Sequence, residues 1–317
     1  MGTHLIAAVV GYRPKNVGYF LLSLHRVRFN GVLHLITDFH TSSQFAAICD
    51  TLGLRCQVHP VYRPRSVSEN RLCRLLLLGP IPPQTILRLQ TRLWFRQILE
   101  KSLPVCCLRY IIAKRILVDV LRVSADSWHD NFLLSDSRDV YFQESPESLI
   151  DYVGPQQLLL AIEPRVMTES DLTFKWIVDI YGSSVARRFL GLDVSCSGTT
   201  FGDALAIRRY LNAMVEHIAK YRRRISHTVG YDQGIHNFLW RSGSLGKVVE
   251  SHNNRGPIYT GWSICRVSSS GLILNDDGTT VTIVHQFDRK IERFRQLEFL
   301  RHIDLRAKDM FDKANTE

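Results

Sequence analysis

Two aspartates near the middle of the chain have the type and spacing to bind a divalent cation. Asp136 and Asp139 follow an apolar run in the stretch "LLSDSRDVYFQ" (residues 133–143), and Arg138 lies between them. A buried carboxylate is unfavourable unless it meets a cation or a hydrogen-bond donor. Carboxylate oxygens suit Mg²⁺ or Mn²⁺, which often keep substrate phosphates as further ligands. The stretch therefore predicts a metal site for a phosphate-bearing substrate, or alternatively an ion-pair cluster of Asp136, Arg138 and Asp139 with a helix cap.

The segments before these aspartates alternate between strand and helix patterns. Short apolar runs predict strands at residues 5–12, 31–38 and 54–61. Helical spacing is found at residues 17–29 and 42–53. Such repeats predict an α/β fold with a mainly parallel, Rossmann-like sheet flanked by helices, and a ligand crevice at the carboxyl ends of the strands. Tyr12 and Asp38 would lie at that edge.

Other nucleotide-binding signatures are missing from the sequence. No GxGxxG follows the first strand, which disfavours a dinucleotide-binding domain, and no GxxxxGK[ST] occurs, which excludes a P-loop.

The later part of the chain continues the alternation of elements. A helical pattern at residues 108–123 leads into the strand that ends at Asp136, and the stretch "VSCSGTTFGD" (194–203) has the glycines of a close backbone approach. A long helical pattern follows it. From Lys290 onward, apolar residues at i+3 spacing predict an amphipathic helix that packs on the body or on a partner.

The positive charge is concentrated in one block. The net charge is +10, and residues 61–122 contain twelve Lys or Arg against three acidic residues, a net charge of +9. Such a block could meet nucleic acid, an anionic membrane surface or a phosphorylated small molecule, and the plain alternative is a solvated helical face. Within it, residues 86–99 could dock on an anionic membrane or pack as an amphipathic helix.

Several features favour the cytoplasm. The longest apolar runs fall far short of the roughly 20 residues of a spanning helix, and the N-terminal segment lacks the basic flank and cleavage site of a secretory signal. The seven cysteines are an odd number without CxxC spacing, which favours neither disulfides nor a zinc site. We expect a cytoplasmic protein, with peripheral membrane contact as an alternative.

Four segments, in order, resemble those of GT-A-fold glycosyltransferases. "LLSDSRDVYFQ" followed by "SP" resembles the family's variant DxD element, "CSGTTFG" its N-S-G-hhh-G segment, "GYDQGIHNFL" its G-x-DQ segment and "IVHQFDR" its terminal hVHQYDR. The resemblance implies a GT-A-like single domain. It also implies metal-dependent transfer of a hexosyl or pentosyl group from a nucleoside-diphosphate sugar to a hydroxyl acceptor.

The resemblance divides the domain into three parts. Residues 1–143 would form the nucleotide-sugar-binding half, residues 144–289 the acceptor and metal half, and residues 290–317 a helical tail. The nucleoside would lie near the end of the first strand, with Asp38 at the base or ribose and Asp136 near the ribose. The residues expected to bind the nucleotide sugar are Val10, Gly11, Tyr12, Asp38, Arg109, Asp136, Ser137, Arg138, Ser197 and Gly198.

The implied metal ligands are Asp139 and His285, which would hold Mn²⁺ or Mg²⁺ against the two phosphates. His285 could equally be a packing residue at the end of an alternating strand. Arg138 and Arg109 are the preferred phosphate or nucleotide contacts, although Arg138 could instead orient the two aspartates and Arg109 could be a solvated helix residue.

The acceptor hydroxyl needs a carboxylate base if the reaction inverts configuration, and no base if it retains configuration. Asp232 is the first candidate and Glu163 the second, although Asp232 could instead be the N-cap of the helix that follows. One departure from the family pattern is Cys196, which stands where members commonly have Asn, so an amide donor is missing there.

Two other functions remain as alternatives. A sugar nucleotidyltransferase of related fold would need a glycine-rich phosphate loop after the first strand, and "GYRPKNVGY" has few glycines. A nucleic-acid-binding protein would use the basic block of residues 61–122, but no reading module is present, so we expect no nucleic-acid partner. The expected partners are the nucleotide-sugar donor and a glycan, lipid-linked or small-molecule acceptor.

Overall fold

A seven-stranded sheet forms the centre of the structure, a computed structural model that describes residues 2–62, 82, 84–85, 93–123, 128–225, 230–261, 263 and 265–290. The strands are β1 (Thr3–Ala8), β2 (Val32–Asp38), β3 (Cys56–Val61), β4 (Asn131–Ser135), β5 (Val140–Phe142), β6 (Leu158–Val166), β7 (Asp193–Asp203), β8 (Val248–His252), β9 (Ile258–Thr260), β10 (Arg266–Val267), β11 (Ile273–Leu274) and β12 (Ile283–His285). The order across the large sheet is β3-β2-β1-β4-β7-β6-β8. Strand β7 is antiparallel to both neighbours, and the other neighbouring pairs are parallel.

Helices cover both faces of this sheet. They are α1 (Gly18–Arg26), α2 (Ser42–Thr51), α3 (Leu93–Ser102), α4 (Val105–Val123), α5 (Leu172–Tyr181), α6 (Ser183–Arg187), α7 (Ala204–Ile225) and α8 (Tyr231–Arg241). Consecutive strand residues point to opposite faces, so Leu5 packs in one core with Phe20 of α1, and Ile6 packs in a second core with Leu108 of α4. The predicted α/β fold, a mainly parallel sheet flanked by helices, is confirmed.

Strand β1 is shorter than the sequence predicts. It ends at Ala8, and the backbone NH of Tyr12 donates to the carbonyl oxygen of Val9 at 3.1 Å, which closes a turn. Gly11 has a φ of +84° in this turn, a conformation that glycine adopts without strain. The apolar run "LIAAVVGY" therefore contains both a strand and the turn that follows it.

Strand β7 contains a bulge that the sequence does not reveal. Leu160 of β6 pairs with Thr200, but the next residue, Ala161, pairs with Cys196. Residues 197–199 thus have no counterpart on β6, and the side chains there depart from strict alternation. The stretch expected to form a close approach, residues 194–203, makes up nearly all of this 11-residue strand.

A three-stranded sheet in the order β5-β12-β9 packs beside the large sheet. Strand β12 is antiparallel to β5 and parallel to β9, and His285 is opposite Val140. Because Asp139 immediately precedes Val140, this register brings the end of β12 next to Asp139.

The start of helix α8 shows that Asp232 does not have the N-cap role considered in the sequence analysis. Gly230 is the N-cap, with a φ of +95°, and Asp232 is the second residue of the helix. Asp232 is therefore not the N-cap, and its side chain is available for contacts with other elements.

Other predictions fall on residues that the structure does not describe. These are the tail helix beyond Lys290 and most of the proposed membrane-docking segment, at residues 291–317 and 86–92. Among the helices that the structure describes, none has an apolar stretch long enough to cross a bilayer.

Three histidines form a row across β1, β2 and β3. Nδ1 of His4 lies 3.0 Å from Nε2 of His34, and Nδ1 of His34 lies 3.1 Å from Nε2 of His59. Nε2 of His4 lies 3.4 Å from the Asp130 carboxylate. Burial, together with the two neighbouring histidines, lowers the pKa of His34 to about 3.

Replacing His34 by glutamine is expected to flatten the pH dependence of stability. An unfolded histidine titrates near 6.5, whereas His34 in the folded protein stays neutral down to about pH 3. The unfolded state therefore binds more protons between these values, and wild-type stability falls as the pH falls through that window. At about pH 5, this difference in proton binding lowers the free energy of unfolding by about 2 kcal/mol relative to neutral pH.

Urea unfolding between about pH 5 and pH 7 measures this difference. His40→Gln, at a solvent-exposed position, is the matched control and should keep the wild-type slope. Equal slopes in wild type and His34→Gln would contradict the prediction.

Candidate metal centre

Two carboxylates and an imidazole converge where the two sheets meet. Asp136 follows β4 of the large sheet, Asp139 precedes β5, and His285 ends β12. Nε2 of His285 lies 3.4 Å from Oδ2 of Asp136 and 3.8 Å from Oδ1 of Asp139. One ligand atom from each residue falls within 4.8 Å of the others. Two oxygen ligands and one nitrogen ligand at this separation fit a divalent cation such as Mn²⁺ or Mg²⁺.

The protonation of these groups reflects their burial and their neighbours. Burial raises the pKa of Asp139, and the nearby Asp136 carboxylate adds to the rise against the pull of His285. Burial would also raise the pKa of Asp136, but Arg109 and His285 outweigh it and hold that pKa well below the ordinary value. Burial opposes a charge on His285, yet the Cys196 sulfur and the two carboxylates raise its pKa. The cluster thus holds negative charge that attracts a proton, and the same charge favours a cation.

Gly198 keeps the space beside this cluster open. A Cβ added at Gly198 would lie 2.8 Å from Nε2 of His285, and closer still to Cε1 of His285 and Oδ2 of Asp136. Its carbonyl oxygen also accepts a hydrogen bond from the backbone NH of Asp136 at 2.7 Å. Only glycine allows this strand to approach both ligands so closely.

Gly198→Ala is expected to fold but to lose Mn²⁺ binding, because the added methyl group would push His285 and Asp136 apart. Overpacking of this kind costs about 1–3 kcal/mol of stability. Gly202→Ala is a matched control on the same strand, since its Cβ would lie 2.8 Å from the carbonyl oxygen of Gln157, away from the cluster. Calorimetric titration with Mn²⁺ compares the two variants, and wild-type affinity in Gly198→Ala would contradict the expected role of the glycine.

A buried arginine joins Asp136 to helix α8. Arg109 of α4 forms ion pairs with Asp136 and, at 2.8 Å, with Asp232, and it donates to the carbonyl oxygen of Ser197 at 3.1 Å. The hydroxyl of Ser197 donates to Asp232 at 3.2 Å. Burial raises the pKa of Asp232, and Arg109 opposes that rise. Arg109 is not a solvated helix residue, since only 15% of its side chain is exposed.

Arg138 makes a different ion pair from the one considered in the sequence. Its Nη2 lies 2.6 Å from Oδ2 of Asp288, at the start of the 3₁₀ helix Phe287–Lys290, and 47% of the side chain is exposed. The ion-pair cluster of Asp136, Arg138 and Asp139 is therefore not what the structure shows. Ser137 donates to the carbonyl oxygen of Ala8 at 2.7 Å, which joins the loop after β4 to the end of β1.

The predicted nucleoside-binding residues lie at the carboxyl end of β1 and β2. The backbone NH of Gly11 donates to the Asp38 carboxylate at 2.5 Å. Tyr12 is half-buried; burial raises its pKa, and the carboxylates of Asp139 and Asp136 add to the rise. Val10 is buried in the second core. Tyr12 is therefore close enough to be influenced by the charges of Asp136 and Asp139. The Asp38 carboxylate, in contrast, already accepts a hydrogen bond from the turn.

Glu163 lies in a separate buried network near the cluster. Its carboxylate pairs with Arg165, and it accepts from Gln286 at 3.3 Å and Gln233 at 3.4 Å. Gln286 directly follows His285 and also donates to the sulfur of Cys196 at 3.5 Å. Glu163 is therefore connected through Gln286 to the Cys196 sulfur, which contacts His285.

The sequence predictions missed three residues of this site. Thr199 contacts Nδ1 of His285, Asp288 pairs with Arg138, and Gln286 links Glu163 to Cys196. Asp288 and Gln286 lie within "IVHQFDR", so their proximity to His285 in sequence was a usable signal. Thr199 had no such signal, because its orientation depends on the bulge in β7.

Two solved structures resemble this chain. Core-mannan synthase A from Aspergillus fumigatus, in its Mn/GDP form, is 12% identical with a TM-score of 0.43 over 80% of this chain and 73% of that chain. Mouse xyloside xylosyltransferase 1, in its apo form, is 14% identical with a TM-score of 0.47 over 90% of this chain and 97% of that chain. No protein-family model and no curated protein matches the sequence. We therefore infer the function from the geometry of the site.

Proposed function

We propose that the protein is a glycosyltransferase that uses a divalent cation to transfer a sugar from a nucleoside diphosphate to a hydroxyl acceptor. The main support is the convergence of Asp136, Asp139 and His285 at the carboxyl edge of a mainly parallel sheet. Ligands bind preferentially at that edge in open α/β sheets. A cluster of two acids and a histidine beside a glycine suits a cation that shares its coordination with phosphate oxygens.

We assign the cation to Asp139, His285 and Asp136, which fit Mn²⁺ or Mg²⁺. When bound, the cation would stabilise the negative charge that develops on the diphosphate as the sugar bond breaks. The residues of the chain hold the site in place: Arg109 fixes Asp136, and Gly198 lets its strand lie against His285 and Asp136. Arg138 is exposed enough to contact a phosphate after leaving Asp288.

The nucleoside is proposed to lie against the turn after β1. A hydrogen bond from the Gly11 amide to the Asp38 carboxylate holds this turn against the end of β2. The half-buried Tyr12 lies close enough to Asp136 and Asp139 to be influenced by their charges. Ser137 and Ser197 lie on the two chain segments that flank Asp136, and they complete the predicted donor site. These placements stay predictions, as does the identity of the base and the sugar.

The residue that would activate the acceptor stays a prediction as well. Asp232 is engaged by Arg109 and Ser197, and burial raises its pKa, which makes it a better proton acceptor than an ordinary aspartate. Glu163 is held by Arg165, Gln233 and Gln286. Asp232 therefore remains the first candidate for an inverting reaction, in which a glycan, a lipid-linked sugar or a small molecule would be the acceptor. A cytoplasmic location and a peripheral membrane contact also stay proposals.

A thermal-shift panel tests the proposed function. The melting temperature is measured with UDP, GDP, ADP and CMP, each with and without Mn²⁺. One nucleoside diphosphate should stabilise the protein only with Mn²⁺, by about 2.7 kcal/mol at a concentration 100 times its Kd. An equal response to all four nucleotides, or a response that ignores Mn²⁺, would overturn the proposal.

A further inference from the structure

We propose that Thr199 is the positioning residue that orients the His285 ring, so that Nε2 of the ring faces the two carboxylates. The proposal rests on the cation-dependent function proposed above, and it concerns a residue to which the family resemblance gives no role. Thr199 would act through His285 and would not contact the cation itself.

The two nitrogens of His285 face different partners. Nε2 faces the carboxylates of Asp136 and Asp139, at 3.4 and 3.8 Å. Nδ1 lies 3.2 Å from the hydroxyl oxygen of Thr199. A neutral imidazole has its proton on one nitrogen and a lone pair on the other. A cation beside the carboxylates needs the lone pair on Nε2, so Nδ1 must hold the proton and needs an acceptor.

Thr199 is the stronger of the two acceptors that the described residues place near Nδ1. The other is the sulfur of Cys196, which lies 3.6 Å from Nδ1 and already accepts from Gln286 at 3.5 Å. Sulfur is a weak acceptor, whereas a hydroxyl oxygen is an ordinary one. His285 is only 1% exposed and Thr199 is fully buried, so water cannot readily replace a missing acceptor.

The bulge in β7 gives Thr199 this orientation. Residues 197–199 have no counterpart on β6, so Cys196 and Thr199, which strict alternation would place on opposite faces, both reach Nδ1 of His285. The neighbouring Thr200 pairs with Leu134, a residue of the core beneath α4 and α7. Thr199 and Thr200 therefore point to opposite faces of the sheet, although both are fully buried.

This pair of threonines provides the test. Mn²⁺ affinity is measured by electron paramagnetic resonance of free Mn²⁺ for wild type, Thr199→Val, Thr199→Ser and the control Thr200→Val. Loss of a partner that orients a metal-binding histidine typically weakens affinity about 10- to 100-fold. We expect that loss in Thr199→Val, recovery to within a few-fold of wild type in Thr199→Ser, and near-wild-type affinity in Thr200→Val.

Several outcomes would overturn the positioning role. Wild-type Mn²⁺ affinity in Thr199→Val would do so, as would an equal loss of affinity in Thr200→Val. Melting temperatures without metal check that each variant is folded, and Thr199→Ser provides a second comparison if the valine variant is not.

These titrations, read together with the thermal-shift panel, separate this proposal from the proposed function. If the wild type binds Mn²⁺ without any response to nucleotides, the transferase proposal fails, while the comparison of the threonine variants still supports or overturns the role of Thr199. A wild type without Mn²⁺ affinity overturns both.

Discussion

Replacing Asp139 by asparagine is expected to abolish the Mn²⁺-dependent stabilisation by a nucleoside diphosphate and to lower sugar transfer about 10²- to 10³-fold. Asparagine keeps the size of the side chain but removes the charge of a proposed ligand. In the protein without metal, the same change should not destabilise the fold, because burial and the neighbouring Asp136 already disfavour the charged form of Asp139. Melting temperatures with and without Mn²⁺, together with donor turnover, measure the three effects.

Asp119→Asn is the matched control, since Asp119 is exposed on α4 and lies away from Asp136, Asp139 and His285. It should keep both the Mn²⁺ response and the turnover of the wild type. A full Mn²⁺ response in Asp139→Asn would remove this residue from the proposed ligand set.

Arg109→Met is expected to cause the largest loss of stability, about 3 kcal/mol. The substitution removes the cation that pairs with both Asp136 and Asp232, and it leaves the Asp232 carboxylate buried without its main partner. We expect the lower end of the usual range, because 35% of the Asp136 side chain is exposed and water partly compensates it. Urea unfolding at neutral pH measures the change.

Two further variants test the cause of that loss. Combining Arg109→Met with Asp232→Asn should recover part of the stability, because the second substitution removes the uncompensated charge. Arg122→Met, at an exposed position of the same helix, should change stability by no more than about 0.5 kcal/mol. If the double variant is no more stable than Arg109→Met alone, the ion pair does not explain the effect of Arg109.

Most of the strands and helices could be predicted because their apolar patterns are strong. The run that becomes β2 is bounded by Gly31 and Asp38, and both boundaries hold within one residue. The run that begins at Leu5 was misleading at its end, because valine is common in strands and Val9 and Val10 continue the pattern into a turn. The turn at Gly11 could only be located from the backbone.

The candidate metal ligands could be predicted only in part from residue types. Asp136 and Asp139 are close in sequence, so a bend brings them together, and their spacing was informative by itself. His285 is nearly 150 positions away by sequence number, and only the family resemblance connected it to them. The register of β12 with β5, which places His285 beside Asp139, is a tertiary feature.

The surroundings of the ligands could not be predicted for a physical reason. Arg109 lies in a strongly basic block, where composition favours a solvated or ligand-binding side chain, but the docking of α4 against α8 buries it between two carboxylates. Similarly, Thr199 reaches His285 because of a bulge. Both contacts depend on how elements pack, and local sequence patterns contain little information about packing.

The two sheets contribute different members of the proposed ligand set: Asp136 follows a strand of the large sheet, whereas Asp139 and His285 adjoin strands of the small one. A cation bound by all three would add a cross-link between two sheets that already meet through packing and through hydrogen bonds such as that from Gln286 to Glu163. Occupancy and docking are then thermodynamically coupled, so each strengthens the other by the same free energy. Loading with Mn²⁺ should consequently slow amide hydrogen exchange along β12, well beyond the residues that touch the ion.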